Sequence, residues 1–127
     1  MNPAESPSQF SLRIREGFPI VVLKGDVDIS TADQFRNFLT EHIPENASFV
    51  LFEFSGVEYF DSTALGILLA YPKPPRRKLI FAPGRAVLRF FQSISFKNPL
   101  LFAADEDSAI KLARSNEMKA QEDQVFE

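Results

Sequence analysis

The sequence predicts a single α/β domain, in which a mixed β-sheet of about five strands is flanked by about four helices. Strand-like and helix-like stretches alternate along most of the chain, a pattern that favours parallel strands joined by right-handed helical crossovers. Residues 49–54 are apolar at nearly every position, which is typical of a central strand covered on both faces. The length of 127 residues is enough for one domain with a proper core and too short for two.

The chain begins with a predicted hairpin. Apolar and polar residues alternate over 10–15, the period of a half-exposed strand. Residues 16–19 turn the chain, the β-branched run 20–23 fits the returning strand, and residues 25–28 close the hairpin. Residues 1–9 are polar and contain two prolines, so we expect a disordered leader there.

Two helices with clear boundary signals are predicted next. Ser30 is the expected N-cap of the first helix, with Asp33 in the position of a capping-box partner, and Pro44 ends the helix. Its apolar stripe comprises Ala32, Phe35, Phe38, Leu39 and Ile43. Asp61 is the expected N-cap of the second helix, because a carboxylate accepts hydrogen bonds from first-turn N–H groups. This helix is apolar nearly all round, so it should be buried against the sheet, and it cannot extend past Tyr71.

Two further strands and two further helices complete the prediction. Strands are expected at 79–82 and 100–103, separated by an amphipathic helix whose apolar positions are Val87, Phe90, Phe91 and Ile94. Asp105 should cap a last helix, in which acidic residues come first and basic residues last, as the helix dipole favours. Residues 116–127 are polar and mostly acidic, and we expect a flexible tail that leaves 10–115 as the folded domain.

The composition excludes several classes of protein. The chain has no cysteine, which rules out disulfides and thiolate metal sites and is compatible with a reducing cytoplasm. Its net charge is −3 and its basic residues do not follow one face, so we expect no nucleic-acid partner. Neither a signal peptide nor a stretch of membrane-spanning length is present, so we expect a cytoplasmic protein without membrane insertion.

Few residues could support catalysis or bind a cofactor. His42 is the only histidine, and a solvated or capping role at the end of the first helix accounts for it. Asp26, Asp28 and Asp61 could bind a hard cation if they gathered at one end of the sheet, although turn and cap roles explain them better. We therefore expect neither an enzyme nor a cofactor.

Two other features allow both a structural and a binding interpretation. The 14 phenylalanines are explained by core filling, with an exposed aromatic docking patch as the alternative. The basic loop 73–78 describes an exposed connector, with an anion contact extended by Arg85 and Arg89 as the alternative.

Ser62 and Thr63 place two hydroxyls at the start of the apolar second helix, where they should be exposed. Ser62 lacks the adjacent base that a nucleophile needs, whereas a phosphate acceptor needs only exposure and a kinase. A phosphate at a helix N-terminus is favoured by the helix dipole and would add about two negative charges beside Asp61. A partner docked there would be repelled. The alternative is that Ser62 is simply a capping residue.

Residues 61–66, Asp-Ser-Thr-Ala-Leu-Gly, follow an apolar strand and resemble the D-S-[ST]-x-L-G signature of STAS domains, specifically of bacterial anti-sigma factor antagonists. Residues 25–28, followed by Thr31 and Ala32, are similar to the G-x-[LV]-D segment that precedes the first helix in that family. Residues 82–91 resemble a third family segment. The resemblance covers residues 10–114 and implies a STAS-like fold.

The resemblance also implies transcription regulation by partner switching. In the family, the unphosphorylated antagonist binds an anti-sigma factor that is a GHKL-type serine kinase, phosphorylation releases it, and a PP2C-type phosphatase restores it. The matching acceptor is Ser62, and the matching partner-binding residues are Asp26, Asp28, Asp61, Thr63, Ala64 and Leu65. The chain would be the phosphoprotein substrate of that kinase.

A non-switching STAS protein is the alternative, as a scaffold or accessory subunit of a stressosome or a lipid-transport ATPase assembly. Retention of both Asp61 and Ser62 favours the switch. Two departures from the family pattern concern the docking face. Ala64 replaces a common glycine and adds a methyl group near the acceptor, and the segment after Tyr71 is short and proline-rich.

Overall fold

The computed structural model describes residues 9–73, 77–94 and 100–125, and the side chains of 118–125 are not described. The leader expected over 1–9 lies outside these residues except for Gln9. The strands are β1 (Phe10–Arg15), β2 (Phe18–Val27), β3 (Phe49–Phe60), β4 (Arg77–Phe81) and β5 (Leu101–Ala103). The helices are α1 (Ala32–His42), α2 (Ser62–Ala70), α3 (Arg85–Gln92) and α4 (Glu106–Val125), and a 3₁₀ turn at Ile29–Thr31 precedes α1.

The five strands form one mixed sheet in the order β1-β2-β3-β4-β5. β1 and β2 form an antiparallel hairpin, whereas β2–β3, β3–β4 and β4–β5 are parallel pairs. The hairpin turns at Glu16 and Gly17, both with positive φ, a conformation that costs glycine little. The predicted mixed sheet and the central position of β3 are confirmed.

Each strand sends alternate side chains to the two faces of the sheet. Val50, Phe52 and Phe54 of β3 belong to a core that includes residues of α1, α2 and α3, whereas Phe49 and Leu51 pack with residues of α4. This period of two means that one apolar run supplies both cores. Every described phenylalanine is buried or half-buried, so core filling is the correct interpretation of their abundance. Among the described residues, no helix is both long enough and apolar enough to cross a membrane.

The connection from β2 to α1 differs from the prediction. Residues 25–27 continue β2 rather than close the hairpin, because the long β3 gives them a partner: Asp26 pairs with Tyr59 and Val27 with Phe60. The N-cap prediction for Ser30 is wrong, since Ser30 lies inside the 3₁₀ turn, and α1 begins at Ala32 without a side-chain cap.

Two boundaries later in the chain also differ. Arg77 and Lys78, predicted in the basic loop, belong to β4, where they pair with β3. Residues 74–76 of that loop lie outside the described residues. The last helix is longer than predicted and its backbone is helical to Val125, through most of the expected tail. The flexibility of that tail stays a prediction.

Candidate functional site

The candidate site lies where the parallel strands β2 and β3 end side by side. Val27 and Phe60 are the last paired residues of the two strands, and the Asp61 N–H donates to the Val27 carbonyl at 3.3 Å. The chain leaving β2 therefore runs beside the chain leaving β3. Carboxyl ends of parallel strands are where α/β sheets commonly place functional residues.

Asp61 joins these two segments through its side chain. Its Oδ1 accepts from the Ala64 N–H at 2.9 Å, which confirms the predicted N-cap of α2. Its Oδ2 accepts from the Ile29 N–H at 3.0 Å. One carboxylate thus fixes the start of the helix and the 3₁₀ turn after β2. Sequence reasoning missed the Ile29 contact, because no local spacing signals a bond between residues 32 positions apart.

Asp28 is committed to the 3₁₀ turn that it caps. Its carboxylate accepts from the Ser30 hydroxyl at 2.5 Å and the Ser30 N–H at 2.9 Å, while its own N–H donates to the Thr31 hydroxyl at 3.0 Å. The Ser30 hydroxyl, followed by backbone N–H groups, lowers the pKa of Asp28 below its ordinary value. The side chain of Asp26 is exposed, and Asp26 pairs with Tyr59 of β3.

The exposed face of α2 consists of small residues. Ser62, Thr63, Gly66 and Ala70 are all exposed, as predicted for the two hydroxyl residues. Small side chains let another backbone approach a helix closely. The hydroxyl of Ser62 is at the first helical residue, on a backbone that the Asp61 cap holds.

The predicted partner-binding residues divide by exposure. Asp26 and Thr63 are exposed, and Asp28 and Asp61 are partly covered. Ala64 and Leu65 are 0% and 6% exposed, because their side chains pack into the core beneath α2. Direct side-chain contact between these two residues and a partner is therefore not available in this structure. The Ala64 methyl group likewise points into the core. It therefore does not obstruct the approach of a kinase to Ser62, contrary to what the sequence position of Ala64 suggested.

Lys78 holds the other end of α2. It is 5% exposed, and its Nζ donates to the Leu69 and Tyr71 carbonyls at 2.9 Å each, and also to the Leu68 carbonyl. A cation at a helix C-terminus is favoured by the helix dipole. The helix that carries Ser62 is therefore anchored at both ends.

The structure gives little support to a metal site, to a chemical role for His42 or to an anion contact by Arg77 of the basic loop. In the part of the chain that is described, no three histidine, cysteine or acidic residues lie close enough to hold a metal ion. Capping explains Asp28 and Asp61 instead. His42 is exposed at the end of α1, with its ring 4.6 Å from the Phe38 ring. Arg77 donates to the Asn116 side chain at 2.9 Å and lies over the Phe49 ring, which accounts for one member of the basic loop.

A mixed five-stranded sheet whose central strand leads into a helix with serine at its first residue defines a recognisable class of α/β domain. The family model for the STAS domain matches residues 9–109. The chain therefore belongs to the STAS domain family.

Solved structures show the same fold. SpoIIAA, an anti-sigma factor antagonist in its unphosphorylated form, has 21% sequence identity and a TM-score of 0.57, over 83% of this chain and 97% of that chain. An anti-sigma factor antagonist from Mycobacterium paratuberculosis has 19% identity and a TM-score of 0.73, over 83% and 92%. A serine-to-glutamate variant of RsbS from Moorella thermoacetica has 12% identity and a TM-score of 0.62, over 87% and 99%. The search among curated proteins found no significant match.

Proposed function

We propose that this chain is a cytoplasmic anti-sigma factor antagonist that acts by partner switching. It binds a GHKL-type anti-sigma factor serine kinase while Ser62 is unmodified, and phosphorylation of Ser62 releases it. A PP2C-type phosphatase then restores binding. The observation that carries this proposal is the exposed Ser62 hydroxyl at the first residue of α2, directly after the capping Asp61.

The surroundings of Ser62 suit a phosphate acceptor. The residue is exposed, so a kinase can reach it, and the helix N-terminus favours a negative group. The Asp61 cap already satisfies the Ala64 N–H, so the fold does not depend on the modification. Two structures of similar fold are anti-sigma factor antagonists, one of them in an unphosphorylated form, which supports the same role here.

The same geometry explains why a phosphate would release a partner. It would add about two negative charges next to Asp61 and close to the 3₁₀ turn that Asp28 caps. It would also add bulk to a helix face whose fully exposed residues are all small. A partner packed on this face would clash with that bulk and would have to bear the cost of desolvating a dianion.

An affinity capture from native lysate with magnesium and ATP tests the proposal. We expect Ser62→Ala to retain the kinase and Ser62→Asp to lose it, whereas Ser11→Asp, the same change at an exposed serine of β1, binds like wild type. The intact mass of the recovered wild-type chain should show one phosphate that Ser62→Ala lacks. Equal capture by both Ser62 variants would contradict the switch and support a scaffold role.

A further inference from the structure

We propose that Ile29 is an apolar anchor for the protein partner, which receives it in an apolar pocket rimmed by lysine or arginine side chains. The inference rests on the proposed function and adds the chemistry of the partner. It identifies a contact residue outside the set that sequence reasoning assigned.

Ile29 is the most exposed large hydrophobic residue in the described part of the chain. It is 74% exposed, compared with 56% for Ile14 and 55% for Tyr59. A single exposed apolar residue is common on protein surfaces and needs no explanation by itself. Ile29 is distinguished by its position in the fold and by the hydrogen bonds that hold its backbone.

The backbone of Ile29 is held by contacts on both sides. Its N–H donates to Asp61 Oδ2 at 3.0 Å, and the 3₁₀ turn that it opens is closed by the reciprocal bonds between Asp28 and Thr31. The side chain thus projects into solvent from a fixed turn. Pre-organisation of this kind reduces the ordering cost of binding, so more of the apolar contact energy contributes to affinity.

Three carboxylates lie on the segments next to this anchor and indicate the charge of the partner. Asp28 precedes Ile29, Asp61 contacts its N–H, and the exposed Asp26 lies three positions upstream, on a backbone bonded to Thr31. A second copy of the chain docked here by two-fold symmetry would place these carboxylates near their own counterparts. A different protein with basic groups around an apolar pocket fits instead.

The anchor is coupled to the modification site through Asp61. The carboxylate that holds Ile29 belongs to the residue directly before Ser62, so a phosphate on Ser62 lies beside it. The phosphate would add bulk between the two surfaces and a dianion that must be desolvated beside the apolar pocket, and both effects oppose the entry of Ile29. Release on phosphorylation then follows from the same few residues that provide binding.

The test titrates the purified kinase, identified by its capture on wild type and its loss with Ser62→Asp, into full-length variants in a calorimeter. We expect Ile29→Ser to raise Kd roughly 10- to 100-fold, the effect of losing one buried isoleucine side chain. Ile29→Leu should stay close to wild type, and Ile14→Ser, a matched change at an exposed isoleucine of β1, should have no effect. Because Ile29 is exposed, circular dichroism should show all variants folded.

The failures of the two proposals can be told apart. If Ile29→Ser binds as tightly as wild type while Ser62→Asp still fails, the anchor is wrong and the switch stands. If the wild-type chain self-associates in sedimentation and the Ile29→Ser variant does not, a second copy is the occupant and the inference is overturned. If Ser62→Asp releases no protein, the proposed function fails, and this inference fails with it.

Discussion

Replacing Asp61 with alanine removes the one side chain that joins both segments of the site. The carboxylate accepts from the Ala64 N–H at 2.9 Å and from the Ile29 N–H at 3.0 Å. Loss of an N-cap aspartate costs about 1 kcal/mol. The bond to Ile29 is charge-assisted but exposed, so water replaces it and we expect about 0.5–1 kcal/mol from this second contact.

Asp61→Ala should therefore lower the free energy of unfolding by about 1.5–2 kcal/mol, which corresponds to a fall of roughly 5–10 °C in Tm for a domain of this size. Urea unfolding followed by circular dichroism measures the loss. Asp61→Asn keeps an acceptor for one N–H group, so it should lose about half as much. Asp33→Ala is the control, because its partner is Arg36 in an exposed ion pair of the kind that contributes little.

Two results would refute this account of Asp61. An unfolding free energy for Asp61→Ala within about 0.5 kcal/mol of wild type would show that neither hydrogen bond stabilises the fold. A loss of equal size in Asp33→Ala would show that the effect belongs to any aspartate near a helix N-terminus. Amide hydrogen exchange adds a local measurement. The Ile29 N–H should exchange faster than in wild type in Asp61→Ala and at the wild-type rate in Asp33→Ala.

Three further substitutions test other parts of the structure. Bonds from Arg13 and Arg15 lower the pKa of Glu106 from 4.5 to about 2, so its contribution is complete above the higher value and is lost as the pH falls through the lower one. Glu106→Gln should cost about 1 kcal/mol at pH 7, allowing for partial exposure, and progressively less as the pH falls below about 2; a gap of undiminished size in acid contradicts this. Lys78→Met should cost about 2 kcal/mol in urea unfolding, because three carbonyls lose their buried donor; wild-type stability would contradict the anchor role. Gly66→Ala should raise stability by about 0.5–1 kcal/mol, since an added Cβ meets no atom within 4 Å, and a lower Tm would refute this.

Local signals were sufficient to predict the centre of the fold. The apolar run at the start of β3 and the cap at Asp61 each depend on residues close together in sequence, and the structure confirms both. The charge order that begins at Glu106 likewise located α4. The composition of residues 117–122 favours a helix, and the prediction of a flexible tail did not take it into account.

The features that were missed depend on contacts between distant parts of the chain. Lys78 looked like one charge of an exposed loop, and only the pairing of β4 with β3 places its ammonium group against the last carbonyls of α2. The bond from Ile29 to Asp61 likewise exists only because β2 and β3 end together. Ala64 and Leu65 are buried because they lie on the face of α2 that meets the sheet. The helix is almost uniformly apolar, so its sequence does not indicate which face that is.

The affinity of the chain for its kinase with and without a phosphate on Ser62 tests the central claim most directly. Phosphoserine incorporated at position 62 during synthesis gives the modified chain, and the unmodified chain is its matched control. We predict that the phosphate weakens binding by at least about 100-fold, through its bulk and the desolvation of a dianion at the exposed face of α2. Equal affinity of the two forms would contradict partner switching through Ser62.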